Sequence, residues 1–268
     1  RLMGQANNLV NDTFSAMHDF GARVDRLKFD AAYQPIVRLP SAEIHHFEVL
    51  VRFYNDDGKL IPTQQLITFA EQVNMVHRLD LAMMRRTIKW IRTQLDLGLT
   101  VRVAVNVSGH SLENPDFCRS AIALFERNRD ALGQLMIEIT ETSEITDIDG
   151  AAKWISRFRE FGIEICLDDF GTGASNFRYL SALEVDYVKI DGESIRQSMK
   201  SGKGQAFMRS LVDLCHSIDV EVVGEMIETD EMRELITKAG FDFAQGYLFG
   251  KPEADISLYW RDAKTPRQ

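Results

Sequence analysis

Residues 163–173, Ile-Glu-Ile-Cys-Leu-Asp-Asp-Phe-Gly-Thr-Gly, read as an apolar strand that runs into two adjacent carboxylates and then a glycine-bracketed loop. Neighbouring side chains on a strand point to opposite faces. Two acids in succession at a strand end are therefore costly if buried without partners. Asp168 and Asp169 make sense if that end opens onto a cation. Phe170 and the glycines at 171 and 173 let the following loop fold over a ligand. A plain Asp-Asp-Gly surface turn would look the same in isolation, so the decision rests on whether the arrangement recurs.

It recurs in both directions. Upstream, 135–140 reads as a strand and 149–161 as a helix stopped by Gly162. Residues 101–108, VRVAVNVS, alternate cleanly as a strand, with a helix near 116–129. Before them come strands at 32–37 and 45–53 and helices near 63–73 and 76–96, the first opened by Pro62-Thr63. Downstream, helices near 175–182, 204–218 and 229–239 alternate with strands at 187–191, 220–225 and 243–249. The short link holding Pro40 and Ser41 makes the first two strands antiparallel neighbours. Strand–helix alternation otherwise predicts parallel strands with helical crossovers. About eight strands without a composition break predict an α/β fold, a (β/α)8 TIM-barrel-like closure with the first hairpin as an irregularity. A doubly wound open sheet is the rival.

The expected organisation is an N-terminal connecting helix at 1–28, a barrel domain at 29–260 and a frayed tail at 261–268. The helix carries a loose 3-4 seam of Met3, Ala6, Val10, Thr13, Met17, Phe20, Val24 and Leu27. It either packs on the domain or links it to a preceding one. A start at Arg1 suggests a segment of a longer protein.

The chain has 268 residues, 45% of them hydrophobic, and a net charge of −9. That supports one large core. It argues against binding DNA or other extended nucleic acid by general electrostatics. An anionic ligand would need its positive charge from metal ions. Cys118, Cys166 and Cys215, odd in number and without a CxxC, predict free thiols in a reducing cytoplasm. No HExxH is present, and no apolar run approaches the ~18 residues of a membrane span. A membrane anchor in a missing N-terminal region stays compatible with this.

In a barrel, chemistry sits at the carboxyl ends of the strands. Those ends carry Glu48 and Arg52, Asn106, Glu138 and Glu141, Asp168 and Asp169, Lys189 and Asp191, Glu225 and Glu228, and Gln245. So many acids converging on nothing would raise each other's pKa and destabilise the fold. Asp, Glu and Asn oxygens suit hard cations, Mg²⁺ or Mn²⁺, as one or two ions. Asp168, central in strand order, is the candidate bridge. Each residue also has an ordinary explanation. Glu48 could face outward, Asn106 could be a turn amide and Lys189 a solvated lysine. Glu225 and Glu228 could cap the helix near Thr229, and Asp191-Gly192 reads as a turn. The SGKG at 201–204 lacks the spacing of a phosphate loop.

The motifs YQPIV (33–37), EVLVR (48–52), NVS (106–108), EITE (138–141), DDFGTG (168–173), VDYVKID (185–191), GEMIET (224–229) and QGYLFGKP (245–252) follow in an order and spacing that is highly specific. In them the chain resembles the EAL-domain cyclic-di-GMP phosphodiesterases of bacteria, from about Tyr33 to Pro252. The resemblance implies a barrel whose first strand is antiparallel to the rest, and hydrolysis of cyclic-di-GMP to linear pGpG. It implies Glu48, Asn106, Glu138 and Asp168 as ligands of one ion, and Asp168, Asp169 and Glu225 as ligands of a second. Lys189 would bind and orient the attacking water, Glu225 would act as general base in the single-ion description, Glu141 would hold the loop after the fifth strand, and Gln245 would position substrate or base. Gln34, Leu50, Arg52, Asp191 and Pro252 fall on the substrate side. A homodimer and an upstream sensory or GGDEF-type domain are further implications.

Three departures bear on activity. Val49 stands where the signature has alanine, Ala174-Ser175-Asn176 follow the GTG, and Met226 replaces a glycine after Glu225. They motivate an alternative, a catalytically weak or inactive receptor that signals through the N-terminal helix.

Overall fold

The computed structural model describes residues 16–22, 24–25, 28–55, 57–140, 145–170 and 176–262. Residues 16–22 and 24–25 are helical; the remainder of the expected 1–28 helix up to residue 15 lies outside the described residues. Strand β1 (Asp30–Arg38) turns back into β2 (Ile44–Tyr54), to which a two-residue strand β3 (Leu60–Ile61) is added. Helices α1 (Thr63–Gln72) and α2 (Val76–Asp96) lead to β4 (Val103–Ser108). Then follow α3 (Gly109–Leu112), α4 (Pro115–Glu126), β5 (Leu135–Thr140), α5 (Ile148–Arg159), β6 (Glu164–Leu167), α6 (Asn176–Ala182) and β7 (Tyr187–Ile190). The chain finishes with α7 (Gly192–Met199), α8 (Gly202–His216), β8 (Glu221–Gly224), α9 (Asp230–Ala239), β9 (Phe243–Gln245) and α10 (Ser257–Asp262).

Strands β2, β4, β5, β6, β7, β8 and β9 pair in parallel in sequence order. Strand β1 closes the ring, antiparallel to both β2 and β9. The result is a closed eight-stranded barrel with one reversed strand, and the open-sheet rival is excluded. The register steps by two residues at four joints: Glu48↔Ala104, Glu138↔Cys166, Lys189↔Val223 and Ile36↔Gln245. Those steps accumulate the shear of about eight that closes a barrel of this kind.

Alternation explains how each strand serves two layers. In β4, Val103, Val105 and Val107 point outward into the main core with the helices. Ala104 points into the barrel. Helix ends follow local chemistry. Asn114 accepts from the N–H groups of Asp116 and Phe117 with Pro115 opening α4. Gly240, at φ 91°, takes the left-handed conformation that ends α9.

The structure corrects several boundaries. The last strand stops at Gln245, not residue 249, because Gly246 turns away to a φ of 158° and its position has no room for a Cβ. Helix α7 fills the gap read as a turn at Asp191-Gly192, where the Asp191 Oδ1 accepts from Glu193 and Ser194 and starts the helix. Helix α10 ends at Asp262. Residues 263–268 lie outside the described residues.

Candidate active site

The period of two sets up two stacked rings inside the barrel. The lower ring is Ile36, Ala104, Met136, Cys166, Tyr187, Val223 and Phe243, one buried side chain from each of seven strands. On the eighth, β2, His46 is paired across from Ile36 and lies against Tyr187 and Phe243. Two residues further along each parallel strand, and two back along reversed β1, stand Gln34, Glu48, Asn106, Glu138, Asp168, Lys189, Glu225 and Gln245. The apolar ring is a floor. The polar ring above it is the site.

Lys189, 1% exposed, is the hub. Its Nζ lies 2.8 Å from Glu225, 3.2 Å from Glu138, 3.3 Å from Glu48 and 3.6 Å from Asp168. Glu48 Oε1 accepts from Asn106 Nδ2 at 2.8 Å, and its Oε2 accepts from Gln245 Nε2 at 2.6 Å. Gln34 accepts from the same Gln245 amide and donates to the Gly250 carbonyl. Asp169 adopts a φ of 55°, the left-handed region that Asp tolerates better than most residues. Its N–H donates to Asp168, and carboxylate oxygens of Asp168, Asp169 and Glu225 lie within 4.8 Å of one another.

Four carboxylates facing one ammonium in a buried ring cannot all be ionised cheaply. Burial, only partly offset by Lys189, pushes Glu138 well above the usual carboxylate range. The same causes push Glu225 up to about 8. Burial and then Asp168 raise Asp169. Burial acts upward on Glu48 as well, but Lys189 and the amides of Gln245 and Asn106 outweigh it and hold Glu48 below its ordinary value. Burial alone would lower Lys189; the surrounding acids, Asp168 and Glu138 first, raise it well above the ordinary range. In this state the cluster stores protons.

The ring fits a cation better than it fits protons. Asn106 Oδ1, Glu138 Oε1 and Gln245 Oε1 are buried without a hydrogen-bond partner among the described residues. Unpaired buried acceptors are costly, and three in one ring, beside surplus carboxylates, form a donor set for a hard divalent ion.

Of the sequence-predicted residues, the ring unites Gln34, Glu48, Asn106, Glu138, Asp168, Lys189, Glu225 and Gln245, with Asp169 at its rim. Leu50 and Arg52 line a mouth cavity of about 430 Å³ that also reaches Glu48, Asn106 and Asp168. Arg52 bridges to an outer groove of about 1280 Å³, and Pro252 lies in that groove rather than in the mouth. Asp191 caps α7 through Oδ1, while its Oδ2 is buried and unpartnered. Glu228 is not drawn into the ring; Thr229, whose hydroxyl accepts from the Met232 N–H, caps α9. Glu141 lies outside the described residues. The sequence reading overlooked Asp80, a buried acid in the mouth wall. Its signal was available: it sits on the apolar face of α2 among Val76, Leu79, Met83 and Met84.

An eight-stranded barrel with a reversed first strand and a carboxylate ring around a lysine defines a class, and comparison places the chain within it. The EAL domain family model matches residues 19–252. The chain belongs to the EAL domain family. It is 31% identical over 223 residues to the cyclic di-GMP phosphodiesterase PdeB of Shewanella oneidensis, covering 82% of this chain and 26% of that protein. It is 31% identical over 206 residues to the probable cyclic di-GMP phosphodiesterase PdeA of Escherichia coli, covering 77% of this chain and 28% of that one. The chain thus spans under a third of the length of these relatives. Its fold superposes on the PaMucR phosphodiesterase solved with c-di-GMP at a TM-score of 0.81, with 26% identity over 91% of this chain and 99% of that one.

Proposed function

We propose that this chain is a Mg²⁺- or Mn²⁺-dependent phosphodiesterase that hydrolyses cyclic-di-GMP to linear pGpG. The observation that carries the reading is the polar ring, with surplus acids and three orphaned oxygens around Lys189. Its relatives' names and the c-di-GMP held by PaMucR support the substrate.

Glu48, Asn106, Glu138 and Asp168 would hold one ion, and Asp168, Asp169 and Glu225 a second. A bound divalent ion lowers the pKa of water and screens charge on the phosphoryl oxygens. The chain's own groups do the rest. Lys189 donates to the attacking water and fixes its approach to phosphorus. With only the first ion held, Glu225 would be free of metal, and its carboxylate would take a proton from that water. The water oxygen bonds to phosphorus as the 3′-oxygen departs, and the proton on Glu225 passes to that oxygen. One water is consumed and one P–O bond opens. Arg52 and Gln34, at the mouth and in the ring, fit phosphate and guanine edges, with Leu50, Asp191 and Pro252 further out. Glu141 holds the loop after β6 in this reading.

The experiment is purified protein with cyclic-di-GMP and Mg²⁺ or Mn²⁺, read by chromatography for pGpG, with EDTA as control. Metal-dependent pGpG is expected; no product under either metal overturns the reading.

One observation favours a second reading, a cyclic-di-GMP receptor. Met226, next to Glu225, holds a φ of 51° and is 50% exposed, a conformation suited to glycine. Micromolar or tighter nucleotide binding without turnover supports the receptor, and turnover gained in Met226→Gly assigns the block to that side chain.

Because the chain covers a minor share of its relatives, one of them the bifunctional diguanylate cyclase/phosphodiesterase MucR of Pseudomonas aeruginosa, we also propose an upstream sensory or GGDEF-type domain and a homodimer. Cys118, Cys166 and Cys215 are free and buried, which supports a cytoplasmic setting. No helix among the described residues is long and apolar enough to cross a membrane.

A further inference from the structure

We infer that Asp80 is a positioning residue that sets the cation affinity of the ring through the carboxyl end of β4; this rests on the metal-dependent reading above. Asp80 comes from the middle of α2 and is 6% exposed, an ionisable group among apolar side chains. Burying it is costly unless it is well bonded. Its Oδ2 accepts two hydrogen bonds, from the N–H of Ser108 at 2.9 Å and from the hydroxyl of Ser111 at 2.6 Å.

The sheet explains why that bond is needed. Pairing of β2 with β4 ends at Val49↔Val105, whereas pairing of β4 with β5 runs on to Ser108↔Thr140. Beyond Val105, therefore, β4 has a strand neighbour on one side only. The mouth cavity opens in that gap, with Asp80, Glu48 and Asn106 in its wall. The Ser108 N–H finds the Asp80 carboxylate where a strand carbonyl would otherwise stand. The Ser108 hydroxyl, in turn, donates to Glu71 Oε1 at 2.9 Å, so two helices grip one residue.

Asn106 lies two residues before Ser108 on this half-supported end. Its Nδ2 is committed to Glu48, and its Oδ1 is one of the orphaned oxygens. The direction of that Oδ1 depends on the backbone that Asp80 holds. Partners hydrogen-bonded directly to a ligand change metal affinity by about 10–100-fold when removed; Asp80 acts one step further out, through the Ser108 backbone, so an effect at the lower end is expected. Asp80 does not touch the ring itself, so it acts on loading and not on the chemical step.

The test is Mn²⁺ binding, followed by the electron paramagnetic resonance of free Mn²⁺, alongside kcat and KM for cyclic-di-GMP at saturating Mn²⁺. Asp80→Ala is expected to weaken Mn²⁺ binding about 10-fold, with kcat and KM at saturation within about 3-fold. Asp80→Asn keeps an oxygen acceptor and is expected to bind within about 3-fold of the parent. Folding is checked by circular dichroism. If Asp80→Ala does not fold, Ser111→Ala, which removes one of the two bonds, is expected to weaken binding about 3-fold. A purely structural Asp80 would lower thermal stability and leave the affinity of the folded protein unchanged; that result overturns the proposal. Equal losses in the Ala and Asn variants overturn it as well. Failure of the parent protein to bind Mn²⁺ overturns the metal-dependent reading itself, a separate outcome.

Discussion

At the amino-terminal end of the parallel strands, Arg102 pairs with Glu164 and donates to His45 Nε2, and Tyr187 donates to Glu164 at 2.9 Å. Because Arg102 can only donate, His45 carries its proton on Nδ1 and gives it to His46 Nδ1, 2.9 Å away. Burial, and then the nearby Arg102 and Arg38, pull His45 down to about 4, so it is neutral at neutral pH. Donors and acceptors match in this chain of contacts. At the other end of the barrel, one ammonium faces four carboxylates and three buried oxygens have no partner. Both clusters are polar and enclosed by one barrel. The satisfied one holds the structure together; the unsatisfied one is held in readiness for something else. Polarity alone does not mark a site, but unfinished hydrogen bonding does.

Substitutions should separate the two ends. The largest effect is expected from Asp168→Asn, which in the proposed reading removes a bridging ligand and should cut pGpG formation by more than about 100-fold; near-normal turnover would refute the bridging role. Lys189→Met leaves the acids without their ammonium and should destabilise the metal-free protein by about 3–5 kcal/mol. Urea unfolding in EDTA measures this, and added Mn²⁺ should restore part of the loss.

A pH effect of intermediate size follows from Glu225, raised to about 8 from 4.5. Between those values the folded chain holds a proton that the unfolded chain has lost. In EDTA this group's contribution to stability is therefore full at low pH and is lost as pH rises through that window. Mn²⁺ binding should conversely tighten with rising pH and release protons, which calorimetry in two buffers of different ionisation enthalpy detects. At the satisfied end, Arg102→Met should cost about 1–2 kcal/mol and leave Mn²⁺ affinity within about 2-fold. A large affinity loss there would break the contrast between the ends.

Much of this was legible in the chain. Alternating elements predicted the barrel, and the acids at strand ends predicted the ring. A finer regularity was present and passed over. His46 and Glu48, Ala104 and Asn106, Met136 and Glu138, Cys166 and Asp168, Tyr187 and Lys189, Val223 and Glu225, and Phe243 and Gln245 each put a floor residue two places before a ring residue. On β1 the order is inverted, Gln34 before Ile36, as the reversed strand demands. Other features depend on what meets what across the fold. The place of Asp80 on the apolar face of α2 marks it as unusual, but its partners, Ser108 and Ser111, are brought to it only by the fold. Helix α7 is too short for periodicity to register and begins at Asp191-Gly192, which resembles a turn. Which oxygens are orphaned cannot be read from residue types, since it depends on neighbours supplied by other strands.

The reversed β1 also determines where the polypeptide joins the barrel. Asp30 is paired with Arg52, at the rim, and the strand then descends past Gln34, opposite Glu48, toward the floor. A parallel first strand would have begun at the floor, remote from the ring. Here the backbone arrives beside the mouth, and its first strand is laced by hydrogen bonds to the strand that carries Glu48. A pull or twist on the chain ahead of Asp30 reaches that lacing through the helical residues 16–22 and 24–25, whose Phe20 and Val24 are buried in the core and whose Asp25 pairs with Arg78.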